Sequence, residues 1–476
     1  MLDKLKSLSK DTLTYGVSTM VSRFLNFILV PFYTNYLPPS EYGIVANVFA
    51  YIAILNVLFS IGMESGYFKF ASTMETGNRK QNFSHPFLAV FFNALVLSSV
   101  VFFFPGVFEP IFQTGETHLV LIKYVALILF FDAIVLVPFA YLRLNNKAKV
   151  FATYKIINVV INVVMNLILI IGFDLGIEAI LISNVIASFV TFLLLFQLIL
   201  KNLELSFNRE LFSELIRFSL PYIPAGISAN IIQVINRPML LYLTNDRITG
   251  IFTANYKLGI IMMLFVTVFD FAWRPFFLNN AKDPEAKKIF SKVMTLFIAV
   301  GGLICIVTSS FLPEIVRIFG EEYREGYYIV PLILLAYLFN GIYVNLMPGI
   351  YFEKKTKYLP LITGISAVVN IAANFILIPP MGMMGAAIAT LLSYITMAAG
   401  IYITAQKFYP IRYEYGKIFF IFIALFSSFG FFLFLQEVAG IHWFVGIAGV
   451  LTYVVLVFAL RVFDVRIFRK LLSGKA

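Results

Sequence analysis

The stretch Gly43-Ile-Val-Ala-Asn47 returns later in the chain as Gly250-Ile-Phe-Thr-Ala-Asn255, with the two glycines 207 residues apart. The same displacement carries Tyr15 onto Tyr222 and Pro31 onto Pro238. Further along, Asn162 and Asn166, followed by Leu-Ile-Leu-Ile, recur 208 residues later as Asn370 and Asn374, followed by Phe-Ile-Leu-Ile. Glu64 and Lys69 are echoed by Asp270 and Arg274. Self-similarity at a fixed period marks a duplicated architecture. Around these motifs the chain is apolar. Hydrophobic residues make up 60% of the 476 positions and charged residues 13%, against roughly 45–50% and about 25% in soluble domains.

A membrane-spanning helix needs about 20 mostly apolar residues, and fourteen such stretches are legible: 12–34, 43–63, 86–107, 118–140, 151–171, 177–200, 214–236, 251–272, 289–312, 327–348, 358–378, 382–405, 416–436 and 441–461. They are too long and too uniformly apolar for a transmembrane barrel, whose strands alternate over about ten residues. The expected fold class is therefore an all-α polytopic membrane protein, with every backbone amide satisfied inside a helix. The repeat spans six helices per copy. Because six is even, both copies start on the same side and are parallel repeats, an arrangement common in transporters. The expected organisation is an N-lobe at 1–205, a C-lobe at 206–410, and an appended pair of helices with a basic tail at 411–476.

The net charge of +11 raises the question of nucleic acid, which the distribution of Lys and Arg answers. With the N-terminus inside, 28 of them fall in the connections and tails of one side, against Arg247, Arg317 and Arg324 on the other. This is the positive-inside pattern of an even number of spans with both termini cytoplasmic. No nucleic-acid partner is expected. The first span follows a basic segment but is too long for a signal-peptide core and has no small-x-small cleavage site after it. Cys305 is the single cysteine, and His85, His118 and His442 are scattered, so neither disulfide nor metal site nor cofactor is expected. The chain has no phosphate-loop motif, no Asp-x-Asp pair among its eight aspartates, and outer loops too short for a catalytic domain. An enzyme is not expected.

Ionisable residues within the hydrocarbon are costly and mark cavities or pairs. Arg23 lies near the middle of the first span on a polar stripe with Tyr15, Thr19 and Asn26, at helical spacing. The seventh span carries the matching stripe Tyr222, Asn230, Gln233 and Arg237. These two faces are candidate walls of a cationic substrate cavity, which Lys257 in the eighth span and Lys155 in the fifth extend. Asp132 and Asp270, with Glu64 and Arg274, are candidates either for ion coupling or for charge pairing. Asn158, Asn162 and Asn166 form a strip that suits interhelical hydrogen bonds as well as substrate. Pro221 and Pro224 interrupt the seventh span and are candidate gating positions.

Taken in order, Leu37-Pro-Pro-Ser-Glu-Tyr-Gly43, Ile61-Gly-Met-Glu-Ser-Gly66 with Lys69 after it, and Asn374-Phe-Ile-Leu-Ile-Pro379 followed by Met384-Gly-Ala-Ala-Ile388 resemble the multidrug/oligosaccharidyl-lipid/polysaccharide exporter superfamily. Within it they resemble the Wzx-type polysaccharide flippases. The resemblance implies two six-helix lobes that accept undecaprenyl-pyrophosphate-linked oligosaccharide from the cytoplasmic leaflet of the inner membrane and release it in the outer leaflet, for surface polysaccharide such as O-antigen. Arg23 would then contact the pyrophosphate or an acidic sugar, with Arg237 and Lys257 behind it. The implied partners are that lipid-linked oligosaccharide, membrane lipids, and the polymerase and chain-length proteins of polysaccharide assembly. Lipid II flippases, multidrug extruders of the same superfamily and a non-transporting scaffold are the alternatives.

Overall fold

The computed structural model describes Met20, Phe24, Leu25 and residues 27–280, 283–440 and 443–462. Among these residues the regular structure is entirely helical. Twelve helices are long and apolar enough to cross a membrane, from Pro39–Ser60 to Tyr415–Ala439. They coincide with the second to thirteenth stretches expected from sequence. The fourteenth is a shorter apolar helix, Trp443–Ala459. Residues 27–36, which include the end of the expected first span, are helical, and the centre of that span, with Arg23 and Asn26, lies outside the described residues. The chain is a multi-pass membrane protein.

By its internal contacts the chain divides into two compact units, Met1–Ala254 with Asn374–Met383, and Asn255–Ala373 with Met384–Ala476. Compactness and repetition are different divisions. The first unit contains all of the first repeat together with the opening helices of the second.

In the first unit, α1 (Pro39–Ser60) has proline at its first position, where the missing N–H costs nothing. It ends where Ile61 and Gly62 adopt positive φ, 43° and 67°. The bend launches α2 (Met63–Thr73). A Cβ on Gly62 would lie 2.4 Å from the Ser219 carbonyl oxygen, so both the turn and the close approach require glycine. Then come α3 (Arg79–Phe103), begun by an Asn78–Gln81 capping box, α4 (Pro105–Phe112), α5 (Leu119–Ile134), α6 (Leu136–Leu144), α7 (Ala148–Leu167) and α8 (Gly176–Asn202).

The seventh span starts earlier than its apolar pattern, as the amphipathic α9 (Arg209–Ser219). Leu211, Leu215 and Ser219 are buried on one face. Pro221 then ends the regular hydrogen bonding, and the chain resumes as α10 (Tyr222–Val234) and α11 (Asn236–Leu243). The interruption follows from the absent proline N–H.

The opening of the next helix, α12 (Asp246–Tyr256), crosses α1 in near backbone contact. A Cβ on Gly43 would sit 2.0 Å from the Asp246 carbonyl oxygen, and one on Gly250 would sit 1.9 Å from that of Pro39. The relation is reciprocal because Pro39 and Asp246 are themselves 207 residues apart. Small residues at such crossings let backbones approach within a membrane.

The second unit contains α13 (Ile260–Asn279), α14 (Ala286–Ser310), the short α15 (Leu312–Ile315), α16 (Val330–Asn345), α17 (Met347–Phe352), most of α18 (Tyr358–Met381), nearly all of α19 (Met383–Phe408), and the appended α20 (Tyr415–Ala439) and α21 (Trp443–Ala459). Its interior repeats a detail of the first unit. Asn47 Nδ2 donates to the Phe112 carbonyl at 2.6 Å, and Asn255 Nδ2 donates to the Tyr323 carbonyl at 2.8 Å. The asparagine that closes each copy of the glycine motif therefore holds a carbonyl of a short helical segment elsewhere in its own unit.

Candidate functional site

A polar cavity of about 480 Å³ opens inside the first unit. Its walls come from four spans, each contributing one helical face. Asp132, Leu136, Phe139 and Arg143 descend α5 and α6 at i, i+4, i+7 and i+11. Phe151, Lys155 and Asn158 follow at i, i+4 and i+7 on α7, and Asn184, Ser188 and Thr191 do the same on α8. The helical period brings such residues onto one side. Asn56 and Ser60 of α1 and Glu64 of α2 complete the lining.

Two cations and two carboxylates face this space, so its formal charge balances. Arg143 pairs with Glu64, and its guanidinium carbon lies 4.8 Å from the Phe68 ring centroid. Ser188 Oγ donates to Asp132 Oδ1 at 2.6 Å. Lys155 Nζ sits 4.4 Å from the Phe139 ring centroid, a cation–π arrangement, and interacts electrostatically with Asp132. Asn158 Nδ2 donates to Thr191 Oγ1 at 2.9 Å, and Thr191 Oγ1 donates on to the Ala187 carbonyl at 2.7 Å. The site offers fixed donors and acceptors around a charged pair, the chemistry that recognises hydroxyl-rich or ionic groups.

Three residues singled out from sequence, Lys155, Asp132 and Glu64, thus meet in one cavity, and Asn158 joins them. Asn162 and Asn166, below Asn158 on the same strip, are instead buried and bonded to each other, with Asn166 Nδ2 donating to Asn162 Oδ1 at 3.2 Å. Arg143 lines the cavity but is missed by the sequence reading, which counts it among the loop cations. The signal is its helical register with Asp132.

The remaining candidates lie elsewhere. Asn230 Nδ2 donates to the Gly226 carbonyl at 3.1 Å, and Arg237 Nη1 donates to the Gln233 carbonyl at 3.3 Å. This stripe runs along α10 and α11, apart from the cavity walls. Pro221 stands at the break before α10, and Pro224 lies in its first turn. Arg23 and Asn26 fall outside the described residues. Lys257, Asp270 and Arg274 belong to the second unit, where Arg274 Nε pairs with Asp270 Oδ1 at 2.8 Å one turn away on α13.

A family model described as polysaccharide biosynthesis protein matches residues 8–280. Among solved structures, the chain is similar to the lipid II flippase MurJ in an inward closed conformation, at TM-score 0.75 and 16% identity over 94% of this chain and 99% of that one. It is also similar to an inward-facing multidrug resistance MATE family transporter of the MOP superfamily, at TM-score 0.64 and 12% identity over 84% and 97%. A Vibrio cholerae MATE transporter, VcmN in its bent form, matches at TM-score 0.56 and 14% identity over 84% and 97%. No curated protein matches the chain. At these identities the likeness is one of fold.

Proposed function

Because the chain belongs to the polysaccharide biosynthesis protein family, we propose that it is a flippase that moves undecaprenyl-pyrophosphate-linked oligosaccharide repeat units across the inner membrane by alternating access, for surface polysaccharide assembly. The observation that carries this reading is the cavity bounded by Arg143, Lys155, Asp132 and Glu64 among spans that are predominantly apolar. A hydrated glycan and a pyrophosphate cannot cross hydrocarbon without replacing their water contacts. A pocket of a few hundred Å³ with convergent polar groups is the usual size of a small-ligand site. It takes the terminal part of a repeat unit, with Asn56, Asn158, Asn184 and Ser188 exchanging hydrogen bonds with sugar hydroxyls. Arg23, Asn26, Asn230, Gln233, Arg237 and Lys257 are assigned to the rest of the substrate path, with Arg23 meeting the pyrophosphate or an acidic sugar. The Asp132–Lys155 and Asp270–Arg274 groups either hold that path neutral when empty or couple it to an ion.

Opening and closing require a helix that bends, and the break at Pro221 supplies one. The excess of Lys and Arg on one side supports an orientation with both termini cytoplasmic. Polymerase and chain-length proteins are the expected partners at the outer face.

A second reading, a lipid II-type flippase, is favoured by the fold match to MurJ over 94% of the chain. Depletion of the protein in cells separates the two. Build-up of lipid-linked repeat units on the cytoplasmic face supports the first, and build-up of lipid-linked peptidoglycan precursor supports the second. Neither, with loss of drug tolerance, would support an extruder.

A further inference from the structure

His85 ties α3 to the start of the seventh span. Its side chain is buried, its ring is stacked on Phe207 with centroids 5.6 Å apart, and backbone groups engage both of its nitrogens. Nδ1 lies 2.9 Å from the Gln81 carbonyl oxygen, one turn earlier on α3. Nε2 lies 2.8 Å from the Asn208 backbone nitrogen, whose N–H donates to it. A carbonyl can only accept and an amide N–H can only donate, so the partners fix the form of the ring. The proton is on Nδ1, Nε2 offers its lone pair, and the imidazole is neutral.

Asn208 is also the N-cap of α9, its side chain accepting from the Leu211 N–H at 3.1 Å. One residue therefore closes the first turn of α9 with its side chain and fastens that turn to α3 with its backbone. The rest of α9 is closely seated, with Leu211, Leu215 and Ser219 buried and Ser219 Oγ only 2.4 Å from where a Cβ on Gly66 would lie. Two more bonds join α3 to the linker before α9. The Glu204 N–H donates to Ser84 Oγ at 2.7 Å, and Gln81 Nε2 donates to Ser206 Oγ at 3.0 Å. Neither changes on proton uptake, whereas the His85 bond requires an unprotonated Nε2.

The charged residues of the segments that meet here are Arg79 and Lys80 on α3, Lys201 at the end of α8, Glu204 in the linker, and Arg209, Glu210 and Glu214 on α9. Arg79 is bonded to Asn145, and Glu214 accepts from Thr76 Oγ1 at 2.8 Å. Glu204 interacts electrostatically with Lys80 and with His85. We propose that His85 is a pH-sensitive latch between α3 and α9. Uptake of a proton at Nε2 sets two N–H groups against each other, so the Asn208 amide is released and the imidazolium turns to the Glu204 carboxylate. Histidine gains its charge between about pH 8 and about pH 5, so the latch is closed at the upper end of that interval and opens towards the lower. Opening frees the start of the seventh span, one α9 length before the break at Pro221.

The test uses the full chain in nanodiscs. Nitrogen NMR of labelled histidine, with the His85 signals identified by their loss in His85→Gln, is expected to show at about pH 8 a neutral ring protonated on Nδ1, the state in which histidine is uncharged. Amide exchange at Asn208, corrected for intrinsic rate, is expected to be roughly tenfold faster at about pH 5.5 than at about pH 8, as the linkage of one proton to opening implies. Glu204 stays ionised over this interval, the Ser206 hydrogen bond above all holding its carboxyl below the usual range, so its own titration does not contribute. His85→Gln, whose carboxamide oxygen can accept from the Asn208 amide without taking a proton, is expected to exchange slowly at both pH values, and His85→Leu rapidly at both. A wild-type ring protonated on Nε2 at neutral pH, a wild-type exchange rate that does not change with pH, or a step of the same size in either variant would each overturn the proposal.

Discussion

Gly43 and Gly250 occupy equivalent positions in the two repeats and lie against each other's helices, so close that neither position has room for a side chain. The contact is a point of approximate two-fold symmetry, because the residue that confronts Gly43 is Asp246 and the residue that confronts Gly250 is Pro39. Gly43→Val and Gly250→Val are each expected to cost about 1–3 kcal/mol, as overpacking does, and to lower the melting temperature in detergent by several degrees. Gly430→Val is the control, since nothing lies within 4 Å of a Cβ there.

Asn47 and Asn255 should behave as a pair. Each is fully buried and holds a distant carbonyl, so Asn47→Ala or Asn255→Ala strips a buried acceptor of its donor, at roughly 1–3 kcal/mol. Thermal melts of the two variants are expected to shift by similar amounts. A twofold or larger difference in that cost would show that the repeats use the motif differently.

Much of this architecture is legible in the amino-acid order alone. The glycine motif announces the duplication, and the long apolar runs place twelve spans at nearly their observed positions. Pro221 marks the break in the seventh span. What stays hidden depends on contacts between helices rather than on register within one. Arg143 reads as a loop cation until Glu64 and Phe68 are seen beside it. The polar cavity lies within one repeat, whereas the polar stripe that stands out on the seventh span runs along α10 and α11, apart from it. The start of α9 escapes notice because its charged face hides the apolar one formed by Leu211 and Leu215.

The Glu64–Arg143 pair is half-exposed, so its coupling should fall between surface and buried pairs, at about 1–2 kcal/mol. A double-mutant cycle on thermal stability with Glu64→Gln and Arg143→Gln measures it. The single substitutions are expected to cost more than the double one per residue changed. Strict additivity would mean that the two groups do not interact.

The linker between the repeats should respond to acid. Glu204 accepts from Ser206 and Asn78, and the Ser206 hydrogen bond above all, against the opposing effect of desolvation, lowers its pKa from the ordinary value, with Asn78, Lys80 and His85 assisting. A carboxyl with a lower pKa folded than unfolded stabilises the fold above its unfolded pKa and loses that contribution as pH falls through the folded value. Hydrogen exchange at residues 203–208, corrected for intrinsic rate, is expected to speed up at acid pH in the wild type. Glu204→Gln should exchange faster at neutral pH and lack the acid step.

Substrate contact by the cationic groups has its own expectation. Arg23→Ala abolishes glycan export while Arg23→Lys retains part of it, because charge survives but the bidentate geometry does not. Export of labelled surface polysaccharide in a complemented deletion strain checks it. Equal export by Arg23→Ala and wild type would remove Arg23 from the path.

The central claim is that a lipid-linked oligosaccharide crosses the membrane through the cavity around Lys155 and Arg143. Its most direct test is the leaflet distribution of undecaprenyl-linked repeat units in depleted cells, read with an impermeant glycan-labelling reagent and complemented with wild type or with Lys155→Met/Arg143→Met checked for normal membrane levels. The account predicts that depletion traps the repeat unit on the cytoplasmic face, that wild type releases it, and that the double variant does not. An unchanged distribution on depletion, or full release by the double variant, would contradict it.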